Sequence, residues 1–455
     1  MSERPDYIQD TIVAPATPAG RGGISVVRLS GPEAAEIGAA MLGRLPAARH
    51  ATLRTFRDAS GQPLDAGLAL WFPAPGSFTG ESVLELHGHG GPVVVQQIVG
   101  AAVALGARRA EPGEFSRRAF LNGRLDLSQA EAIADLIDSG TQQAARAALR
   151  SMTGEFSAAV EALVEKLTLL RLHVEAAIDF PEEEIDHLAD RQLRARLDDC
   201  AHEFSELAGR ARAGRLLRDG LQVVIVGRPN AGKSSLMNRL SGAESAIVTE
   251  VAGTTRDILR ERIDIDGLMV ELIDTAGLRD DPDRIEAEGI RRAEQALSGA
   301  DAVLWVQDAT DTTGSASPPE TLPEGVPLVI VHNKIDLTGE APGSGDGPPP
   351  IARTIVRLSA HTGAGLDVLR TRLHDIAGTG DLGEGAFTTR QRHLDAIAAA
   401  AAHFDQGQRA LASTNAGELL AEELRLAQDA LGEITGRITS DDLLGRIFSE
   451  FCIGK

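Results

Sequence analysis

The stretch that decides the fold is Gly227-Arg228-Pro229-Asn230-Ala231-Gly232-Lys233-Ser234. It fits the pattern G-x-x-x-x-G-K-[ST], directly after the apolar run 223–226 and before a helical run through Leu240. The glycines let backbone N–H groups surround the β- and γ-phosphates of a nucleotide at a helix N-terminus. Lys233 supplies a point charge to the phosphate oxygens, and the Ser234 hydroxyl reaches Mg²⁺. The sequence therefore predicts a nucleoside triphosphate site here.

Strand-like and helical runs alternate on both sides of this motif, from Leu221 to about Gly378. The predicted strands are Val223–Val226, Met269–Ile273, Ala302–Val306, Leu328–Val331 and Ile355–Leu358. This rhythm predicts a mostly parallel, doubly wound sheet. Asp266-Gly267, between two apolar runs, predicts a hairpin and one antiparallel edge strand. The Gly-, Pro- and Ser-rich segments 312–323 and 339–350 are predicted to be surface loops.

Three further motifs follow in the order of the GTPase fold. Asp274-Thr275-Ala276-Gly277 follows a strand, so Asp274 can hold the water shell of magnesium while the Gly277 N–H faces the γ-phosphate. Asn333-Lys334-Ile335-Asp336 follows another strand, and Asp336 can accept hydrogen bonds from N1–H and the exocyclic amine of guanine. Adenine lacks this donor pattern, so the predicted nucleotide is GTP. Ser359-Ala360 is predicted to give a backbone contact to the guanine O6.

The position after the D-x-x-G motif is Leu278, where Ras-like enzymes carry a glutamine that orients the attacking water. A leucine neither donates nor accepts a hydrogen bond, so water positioning and charge neutralisation have to come from elsewhere. Thr255 is a candidate for completing the Mg²⁺ shell. Asn230 is a candidate for holding a monovalent cation, since its amide oxygen is expected beside the β- and γ-phosphates. A plain turn role for Asn230 stays open as the alternative.

Length and composition suggest a soluble protein of about three domains. The chain has 455 residues, 43% of them hydrophobic, and a mean hydropathy of -0.08. No run approaches the roughly 20 apolar residues of a membrane-spanning helix, and the N-terminus lacks a signal pattern. Two cysteines agree with a reducing compartment. We therefore expect a cytoplasmic protein without a membrane partner.

The chain is strongly acidic, with 66 acidic and 45 basic side chains and a formal charge of -21. The field of the whole molecule repels polyanions at long range. Any nucleic-acid partner therefore has to dock at a local patch or through a second protein.

Composition divides the chain into regimes that predict a multidomain protein. Thr11 to about Arg118 mixes strand-like and helical runs, which predicts an α+β domain. The helical spacing of apolar residues that follows predicts one long amphipathic helix, Gln142–Ile178, in a core or facing a dimer partner. The chain is again helical from Thr388 to Phe451, so the α/β unit is predicted as an insertion in one discontinuous helical domain. The predicted boundaries are 1–118, 119–219, 220–379 and 380–455, the last ending in a Cys-Ile-Gly-Lys tail.

The chain resembles the MnmE (TrmE) family of bacterial tRNA-modification GTPases, within the TrmE-Era-EngA-Septin-like P-loop GTPases, over nearly its whole length. A generic GTPase would share only the nucleotide motifs, so flanking segments carry the resemblance. These segments are Thr11–Ala14 with Gly20–Ile24, Phe78–Glu81, Glu85–Gly91, Gly113–Gly123 and Phe451–Lys455.

The resemblance implies an α+β N-terminal domain that binds folate and dimerises, a discontinuous α-helical domain and an inserted Ras-like α/β P-loop GTPase domain. It implies a homodimer that forms a heterotetramer with two subunits of the FAD-dependent partner MnmG, so that FAD enters only through the partner. The pair would add an aminomethyl or carboxymethylaminomethyl group to C5 of the wobble uridine (position 34) of certain tRNAs. The one-carbon donor would be 5-formyltetrahydrofolate or a related tetrahydrofolate.

The resemblance also implies ligands and roles for individual residues. Hydrolysis would be stimulated by potassium and accompany dimerisation of the GTPase domains. Potassium would be bound by Asn230, Thr249, Val251 and Thr254, and magnesium by Ser234 and Thr255. Glu286 would orient the water in place of Leu278; a solvated acid at a helix start is the alternative. The full set of GTP-binding residues would be Asn230, Ala231, Gly232, Lys233, Ser234, Ser235, Thr249, Glu250, Val251, Ala252, Gly253, Thr254, Thr255, Asp274, Thr275, Ala276, Gly277, Asn333, Lys334, Asp336, Ser359 and Ala360.

For folate, the resemblance points to Arg28, Glu85, Arg124 and Lys455. A pterin edge suits a carboxylate, and the glutamate tail suits cations. The family often has Lys where this chain has Arg124, and a surface strand residue is the alternative for Arg28.

Two further residue types have competing interpretations. Cys452 matches a tail cysteine that the family links to the modification reaction, with an inert cysteine as the alternative. Cys200 is expected to pack in a helix, and His87-x-His89 lacks the ligands that complete a zinc shell.

The alternative function is a ribosome-assembly GTPase that uses its nucleotide state to control docking on RNA. That alternative predicts direct rRNA binding and no folate affinity.

Overall fold

The computed structural model describes residues 10–179, 191–242, 260–274, 297, 299–311, 326–346, 353–378, 385–414, 416–437, 441–449, 451 and 454. The chain divides into two compact units. The first comprises 1–134, 152–175 and 409–455, and the second comprises 135–151 and 176–408. The four-part division at residues 118, 219 and 379 stays a prediction.

The first unit contains a six-stranded sheet. Its strands are β1 (Ile12–Pro15), β2 (Gly22–Ser30), β3 (Thr52–Arg57), β4 (Pro63–Phe72), β5 (Val83–Gly90) and β6 (Arg108–Arg109). The order is β3-β4-β5-β2-β1-β6, and neighbouring strands are antiparallel except β1 and β6. In this arrangement β3 is an edge strand.

Helices α1 (Ala34–Leu42) and α2 (Pro92–Ala104) cover one face of this sheet. Successive strand residues point to opposite faces, so alternate side chains form the core. Those buried side chains are Val27, Leu29, Phe56, Ala69, Leu84 and Leu86 from the strands with Ile37, Met41, Ile98 and Val99 from the helices. The α+β prediction is confirmed, and α2 begins with Pro92 at its first turn, where proline is well tolerated.

A series of helices follows the sheet. They are α3 (Glu114–Leu121), α4 (Leu127–Asp138), α5 (Gln142–Met152), α6 (Glu155–Asp179) and α7 (Arg191–Asp219). The prediction of one helix over Gln142–Ile178 was wrong, because the chain breaks between α5 and α6. Gly154 lies at the break with φ +95°, a backbone conformation that glycine adopts without steric cost. The apolar spacing continues across the break, which is why periodicity alone did not reveal it.

The second unit contains a seven-stranded sheet. Its strands are β7 (Leu221–Gly227), β8 (Arg260–Ile265), β9 (Leu268–Asp274), β10 (Ala302–Asp308), β11 (Leu328–Asn333), β12 (Gly343–Asp346) and β13 (Arg353–Arg357). The order is β12-β13-β11-β10-β7-β9-β8, parallel except for the two edge strands β8 and β12. This confirms the predicted parallel sheet.

The two edges of this sheet differ in how well the sequence revealed them. The predicted hairpin joins β8 and β9, with positive φ at Asp266 (50°) and Gly267 (91°), as a tight hairpin turn requires. Strand β12 lies inside 339–350, which was predicted to be a loop. A four-residue strand of Gly, Ser and Asp has no apolar alternation, so the sequence gave no strand signal there.

The remaining helices are α8 (Lys233–Gly242), α9 (Ile335–Thr338), α10 (Leu366–Ala377), α11 (Gln391–Thr414), α12 (Gly417–Thr435) and α13 (Asp441–Ser449). Both faces of the parallel sheet are apolar: Val223 and Ile225 pack with α8 and α10 in one cluster, and Val224 and Val226 contribute to another. The doubly buried sheet forms a rigid platform whose carboxyl edge carries the loops of the candidate site. Among the described helices, none combines the length and apolar character that crossing a membrane requires.

Candidate nucleotide-binding and folate-binding sites

The loop between β7 and α8 carries the phosphate-binding motif. Lys233 is only 7% exposed, and its Nζ donates hydrogen bonds to the carbonyl oxygens of Gly227 and Arg228 at 2.9 Å each. Gly232 has φ +94°, and a Cβ there would lie 2.2 Å from Nδ2 of Asn333. Only glycine fits this position, because the loop backbone and the Asn333 side chain approach so closely. The Lys233 side chain is fixed inside the loop by its two carbonyl partners, and the backbone dipoles of the loop surround it.

Asn333, at the end of β11, connects the phosphate loop to the loop that follows β13. Its side chain is 2% exposed; Nδ2 donates to the Ala231 carbonyl at 3.0 Å, and Oδ1 accepts from the Ala360 N–H at 2.9 Å. The sequence assigned a backbone contact with guanine O6 to Ser359-Ala360, whereas in this structure the Ala360 N–H is bonded to Asn333. Both loops are therefore positioned by one buried amide.

Lys334 makes a second connection to the phosphate loop. It adopts φ +67°, and its Nζ donates to the Asn230 carbonyl at 2.8 Å and to Oδ2 of Asp308 at 2.6 Å. The hydrogen bond from Lys334, with further bonds from Thr310, lowers the pKa of Asp308 to about 2. Sequence reasoning missed Asp308. The feature of the sequence that could have revealed it is its position at the carboxyl end of β10, which in the sheet is directly opposite Asn333.

Four other predicted nucleotide ligands in the described part are on the surface, whereas Ala231 and Ser359 are buried. Asn230 has φ +64° and an exposed side chain at the tip of the loop. Ser234 and Ser235 are exposed in the first turn of α8, and Asp336 is exposed in the first turn of α9. These side chains are available to a ligand at the same edge of the sheet.

Part of the predicted site lies outside the described residues. This applies to 249–255, Thr275, Ala276, Gly277, Glu286, Cys452 and Lys455, and only the backbone of Asp274 is described, at the end of β9. Their assigned roles stay predictions.

In the first unit, the structure brings two predicted folate ligands together. Arg28 on β2 and Glu85 on β5 are directly opposite, and the guanidinium contacts Oε1 of Glu85 at 2.9 Å. Nε2 of His87 lies 3.2 Å from Oε2 of the same carboxylate. The guanidinium carbon of Arg28 also lies 5.5 Å and 5.6 Å from the ring centroids of Phe78 and Phe115. The pair is half-buried and oriented by aromatic rings.

Arg124 lies beside a tight turn at Gly80. Gly80 has φ +79°, and a Cβ there would lie 3.1 Å from Asn122 Cβ and 3.2 Å from Arg124 Cγ. At the C-terminal end of the described chain, Gly454 is buried, and a Cβ on it would lie 1.9 Å from the Pro15 carbonyl oxygen. Pro15 lies on β1 and pairs with Val27 on β2, so Gly454 contacts the strand next to the one that carries Arg28.

A buried ion-pair cluster supports this region. Arg118 is 2% exposed and donates to Asp10, Glu81 and Glu114, with Glu114 Oε1 at 2.9 Å. Burial raises the pKa of Glu114, but hydrogen bonds from Arg108, the Glu111 N–H and Arg118 more than offset it and lower the pKa below its ordinary value. Sequence reasoning missed this cluster, because its members come from separate parts of the chain. It orders the loop around Gly80 through Glu81.

The His87-x-His89 pair is divided between two partners. Nδ1 of His89 lies 2.7 Å from Oδ1 of Asp65, whereas His87 faces Glu85. Within the described chain, no group of three or more His, Cys, Asp or Glu side chains could hold a metal ion. Cys200 is buried in α7, in agreement with a packing role.

Comparison with known proteins gives two family matches. Residues 11–124 match the family described as GTP-binding protein TrmE N-terminus, and residues 127–452 match the MnmE helical domain. The tRNA modification GTPase MnmE of Erwinia tasmaniensis is 55% identical over 454 residues, which cover 98% of this chain and 99% of that protein.

Two solved structures are similar to parts of the chain. The G domain of the T. maritima FeoB iron transporter shares 24% identity and covers 34% of this chain and 98% of that chain, with a TM-score of 0.24. A GTP-binding protein of Sulfolobus solfataricus in complex with GDP shares 18% identity over 60% of this chain and 79% of that chain, with a TM-score of 0.25. At these TM-scores, neither likeness carries an argument about function.

Proposed function

Because the chain belongs to the MnmE family of tRNA modification GTPases, and so hydrolyses GTP in tRNA modification, we propose that its hydrolysis is stimulated by potassium. We propose further that it acts with the FAD-dependent partner MnmG in the cytoplasm. Together they would add an aminomethyl or carboxymethylaminomethyl group to C5 of the wobble uridine (position 34). The observation that carries the potassium proposal is the conformation of Asn230.

The backbone of Asn230 is already committed, while its side chain is exposed. The Asn230 carbonyl accepts a hydrogen bond from Lys334 Nζ at 2.8 Å, and the backbone of Asn230 is left-handed, with φ +64°. The amide oxygen is a neutral, hard donor of the kind that suits an alkali ion. We propose that it binds potassium together with Thr249, Val251 and Thr254. When bound, potassium supplies positive charge beside the terminal phosphates.

The other residues of the site have separate roles in the proposal. Lys233 neutralises phosphate charge from inside the loop, where its position is fixed by two carbonyl oxygens. Ser234 and Thr255 hold magnesium, whose bound form supplies further charge to the phosphates. Glu286 orients the attacking water, since Leu278 cannot do so.

For folate, we propose that Arg28, Glu85, Arg124 and Lys455 bind 5-formyltetrahydrofolate or a related tetrahydrofolate. The half-buried Arg28–Glu85 pair supports this, because a carboxylate paired with a cation that lies over aromatic rings suits a flat ring with a donor edge. The close approach of Arg124 to Gly80 places a second cation in the same unit. Cys452 is proposed to take part in the modification reaction.

We propose that the chain forms a homodimer through the sheet face that α1 and α2 leave open, and a heterotetramer with two MnmG subunits. Leu53 and Leu68 are directly opposite each other on β3 and β4, and they are 70% and 43% exposed. Directly opposite residues share a face, so these leucines form an apolar patch. A second copy of this face would bury it.

The test of the potassium proposal is the GTPase rate of Asn230→Ala in potassium and in sodium. We expect the wild-type chain to be faster in potassium and the variant to show the same, lower rate in both salts. Asn238→Ala, an exposed asparagine in α8, is the matched control and should keep the stimulation. Equal wild-type rates in the two salts would contradict the proposal.

A further inference from the structure

Charge is unevenly distributed along this acidic chain. Residues 11–124 carry 11 arginines and 8 acidic residues, whereas the whole chain carries 45 basic and 66 acidic residues. A polyanion therefore meets repulsion from most of the molecule and a weak attraction from this part. A tRNA that docks directly on the chain needs a local basic surface.

Residues 37–57 form the most basic segment of this part. The segment contains four arginines and no aspartate or glutamate. The four are Arg44, Arg49, Arg54 and Arg57, and we refer to them as the basic rim. In the structure Arg44, Arg49 and Arg57 are exposed and Arg54 is half-buried.

The basic rim follows one edge of the six-stranded sheet. Arg54 and Arg57 lie on the edge strand β3, and the Arg49 N–H donates to the Trp71 carbonyl at 2.8 Å, past the end of β3. Along β4, Pro63 is opposite Arg57, and Trp71, eight residues further on, accepts the hydrogen bond from the Arg49 N–H. At about 3.3 Å per residue this distance is on the order of 25 Å. Arg49, Arg54 and Arg57 are thus spread along the edge rather than gathered at one point; Arg54 shares a face with buried Phe56, and Arg57 lies on the opposite face.

The rim arginines differ in their partners from three other arginines of the unit. Arg28, Arg108 and Arg118 are each paired with one or more carboxylates. Within the described part of the chain, no ion pair includes a rim arginine; those at 54 and 57 donate only to carbonyl oxygens of Leu53 and Gly61. Their positive charge is therefore not neutralised by the protein.

Nearby carboxylates offset part of this charge. Asp58 lies in the turn after β3, where hydrogen bonds from the Ser60 side chain and from backbone N–H groups lower its pKa, so it is an anion at neutral pH. The carboxylate of Asp65 on β4 is hydrogen-bonded to His89: Oδ2 accepts from the His89 N–H, and Oδ1 lies 2.7 Å from His89 Nδ1. With Asp58 and Asp65 both counted as anions, the four rim arginines keep an excess of two positive charges.

Two contacts position Arg49. Its guanidinium carbon lies 5.8 Å from the ring centroid of Phe72, and NH2 donates to the Gly76 carbonyl. These contacts use few of its five N–H donors, so the others can face a phosphate oxygen.

We propose that the basic rim is the surface on which the phosphate backbone of tRNA docks. The inference rests on the tRNA modification function of the family. Guanidinium groups that no carboxylate pairs with match a phosphate backbone in charge, and such contacts position the RNA without reading its sequence. Charged side chains also protect edge strands from pairing with other chains, but that protection works with either sign of charge. The sign of the charge therefore separates the two explanations.

The experiment measures binding of an unmodified tRNA transcript to the full-length chain by fluorescence anisotropy at several salt concentrations. The rim variant carries Arg44→Gln, Arg54→Gln and Arg57→Gln, and leaves Arg49 in place. The control variant carries Arg191→Gln, Arg194→Gln and Arg196→Gln, three exposed arginines of α7, and so loses the same charge. Since each phosphate contact adds roughly 0.7–0.9 to the salt slope, we expect the rim variant to lose about two units of slope and about tenfold or more in affinity.

The outcomes separate the proposal from its alternatives. Unchanged affinity of the rim variant, equal losses in both variants, or no binding by the wild-type chain would each overturn it. Loss of the dimer in the rim variant, seen by light scattering, would also overturn it and make the rim an interface between copies. Arg→Lys substitutions at the same three positions should restore binding, and Arg→Glu substitutions should abolish it while keeping the chain soluble.

The potassium-stimulated GTPase rate of the rim variant, measured without tRNA, is the second readout. It should equal the wild-type rate, since the rim holds none of the nucleotide ligands. Lost tRNA binding with retained GTPase supports the docking surface. A wild-type chain that binds tRNA through the rim but shows no potassium effect would instead refute the proposed function alone.

Discussion

The nucleotide site and the folate candidate site use two sheets in different ways. In the parallel sheet, the loops after β7, β10 and β11 meet at one edge, where Asn333 contacts the Ala231 carbonyl and Lys334 contacts Asp308. In the antiparallel sheet, Arg28 and Glu85 lie within strands and meet across the ladder. The nucleotide site depends on single residues in the loops at the strand ends, whereas the folate candidate site consists of charged side chains spread over the face of a sheet. Substitutions within the phosphate loop should therefore have larger effects than substitutions in the folate candidate site.

The largest effect is expected from Lys233→Ala. The substitution removes a buried charge whose position is fixed by two carbonyl oxygens. Loss of one such electrostatic contact lowers turnover by roughly 10²–10³-fold. Single-turnover GTP hydrolysis measures it. Lys166→Ala in α6 is the control. A rate for Lys233→Ala less than tenfold below that of the wild-type chain would contradict the expected difference between the two sites.

Gly232→Ala should have the next largest effect. The methyl group would lie 2.2 Å from Asn333 Nδ2, at φ +94°. Left-handed strain costs roughly 1–2 kcal/mol, and the displaced Asn333 adds to it, so GTP should bind about ten- to a hundredfold more weakly. Titration of a fluorescent GTP analogue tests this. Gly242→Ala, where a Cβ meets nothing within 4 Å, should bind normally, and equal affinities of the two variants would refute the close approach.

Arg28→Ala should weaken binding of 5-formyltetrahydrofolate by about tenfold. A charged hydrogen bond contributes about 1.5–3 kcal/mol when buried and less at the 21% exposure of this side chain. Calorimetric titration gives the affinity, with Arg109→Ala on β6 as the control. If the wild-type chain does not bind this folate, the proposed folate site is wrong.

The smallest effect is expected from Asp308→Asn. The pKa of Asp308 is lowered to about 2 by Lys334, from 3.8 in the unfolded chain, so its stabilising effect is present above pH 3.8 and is lost as the pH falls through about 2. The difference in melting temperature between wild type and variant should be constant from pH 7 to 5 and disappear near pH 2. A difference that grows with acidification would contradict the ion pair.

Sequence alone predicted the nucleotide site better than the folate site, for a physical reason. A phosphate loop needs glycines, a lysine and a serine at fixed spacing between a strand and a helix. Residues 227–234 can therefore be assigned from the sequence alone. The β8–β9 hairpin was equally clear, because few residues adopt positive φ as readily as the Asp266-Gly267 pair. Arg28 and Glu85 were found only through family resemblance, since their contact depends on the register of β2 and β5.

Other features left no local signal in the sequence. The break at Gly154 interrupts a periodic pattern without changing it, and β12 has no apolar residues to alternate. The Ala360 N–H bonds to Asn333 because of how two loops meet, which a motif does not encode. The pairing of Asp308 with Lys334 likewise depends on the neighbouring order of β10 and β11.

The Asn333 amide has a consequence for protein engineering. Its two polar atoms join the loop that holds the phosphates to the loop after β13, so base preference and phosphate affinity are not separable modules. A designer who replaces Asn333 to admit another nucleobase would also release the Ala231 carbonyl and the Ala360 N–H. Changes in nucleobase preference in this scaffold are better sought at Asp336, whose exposed carboxylate supports neither loop.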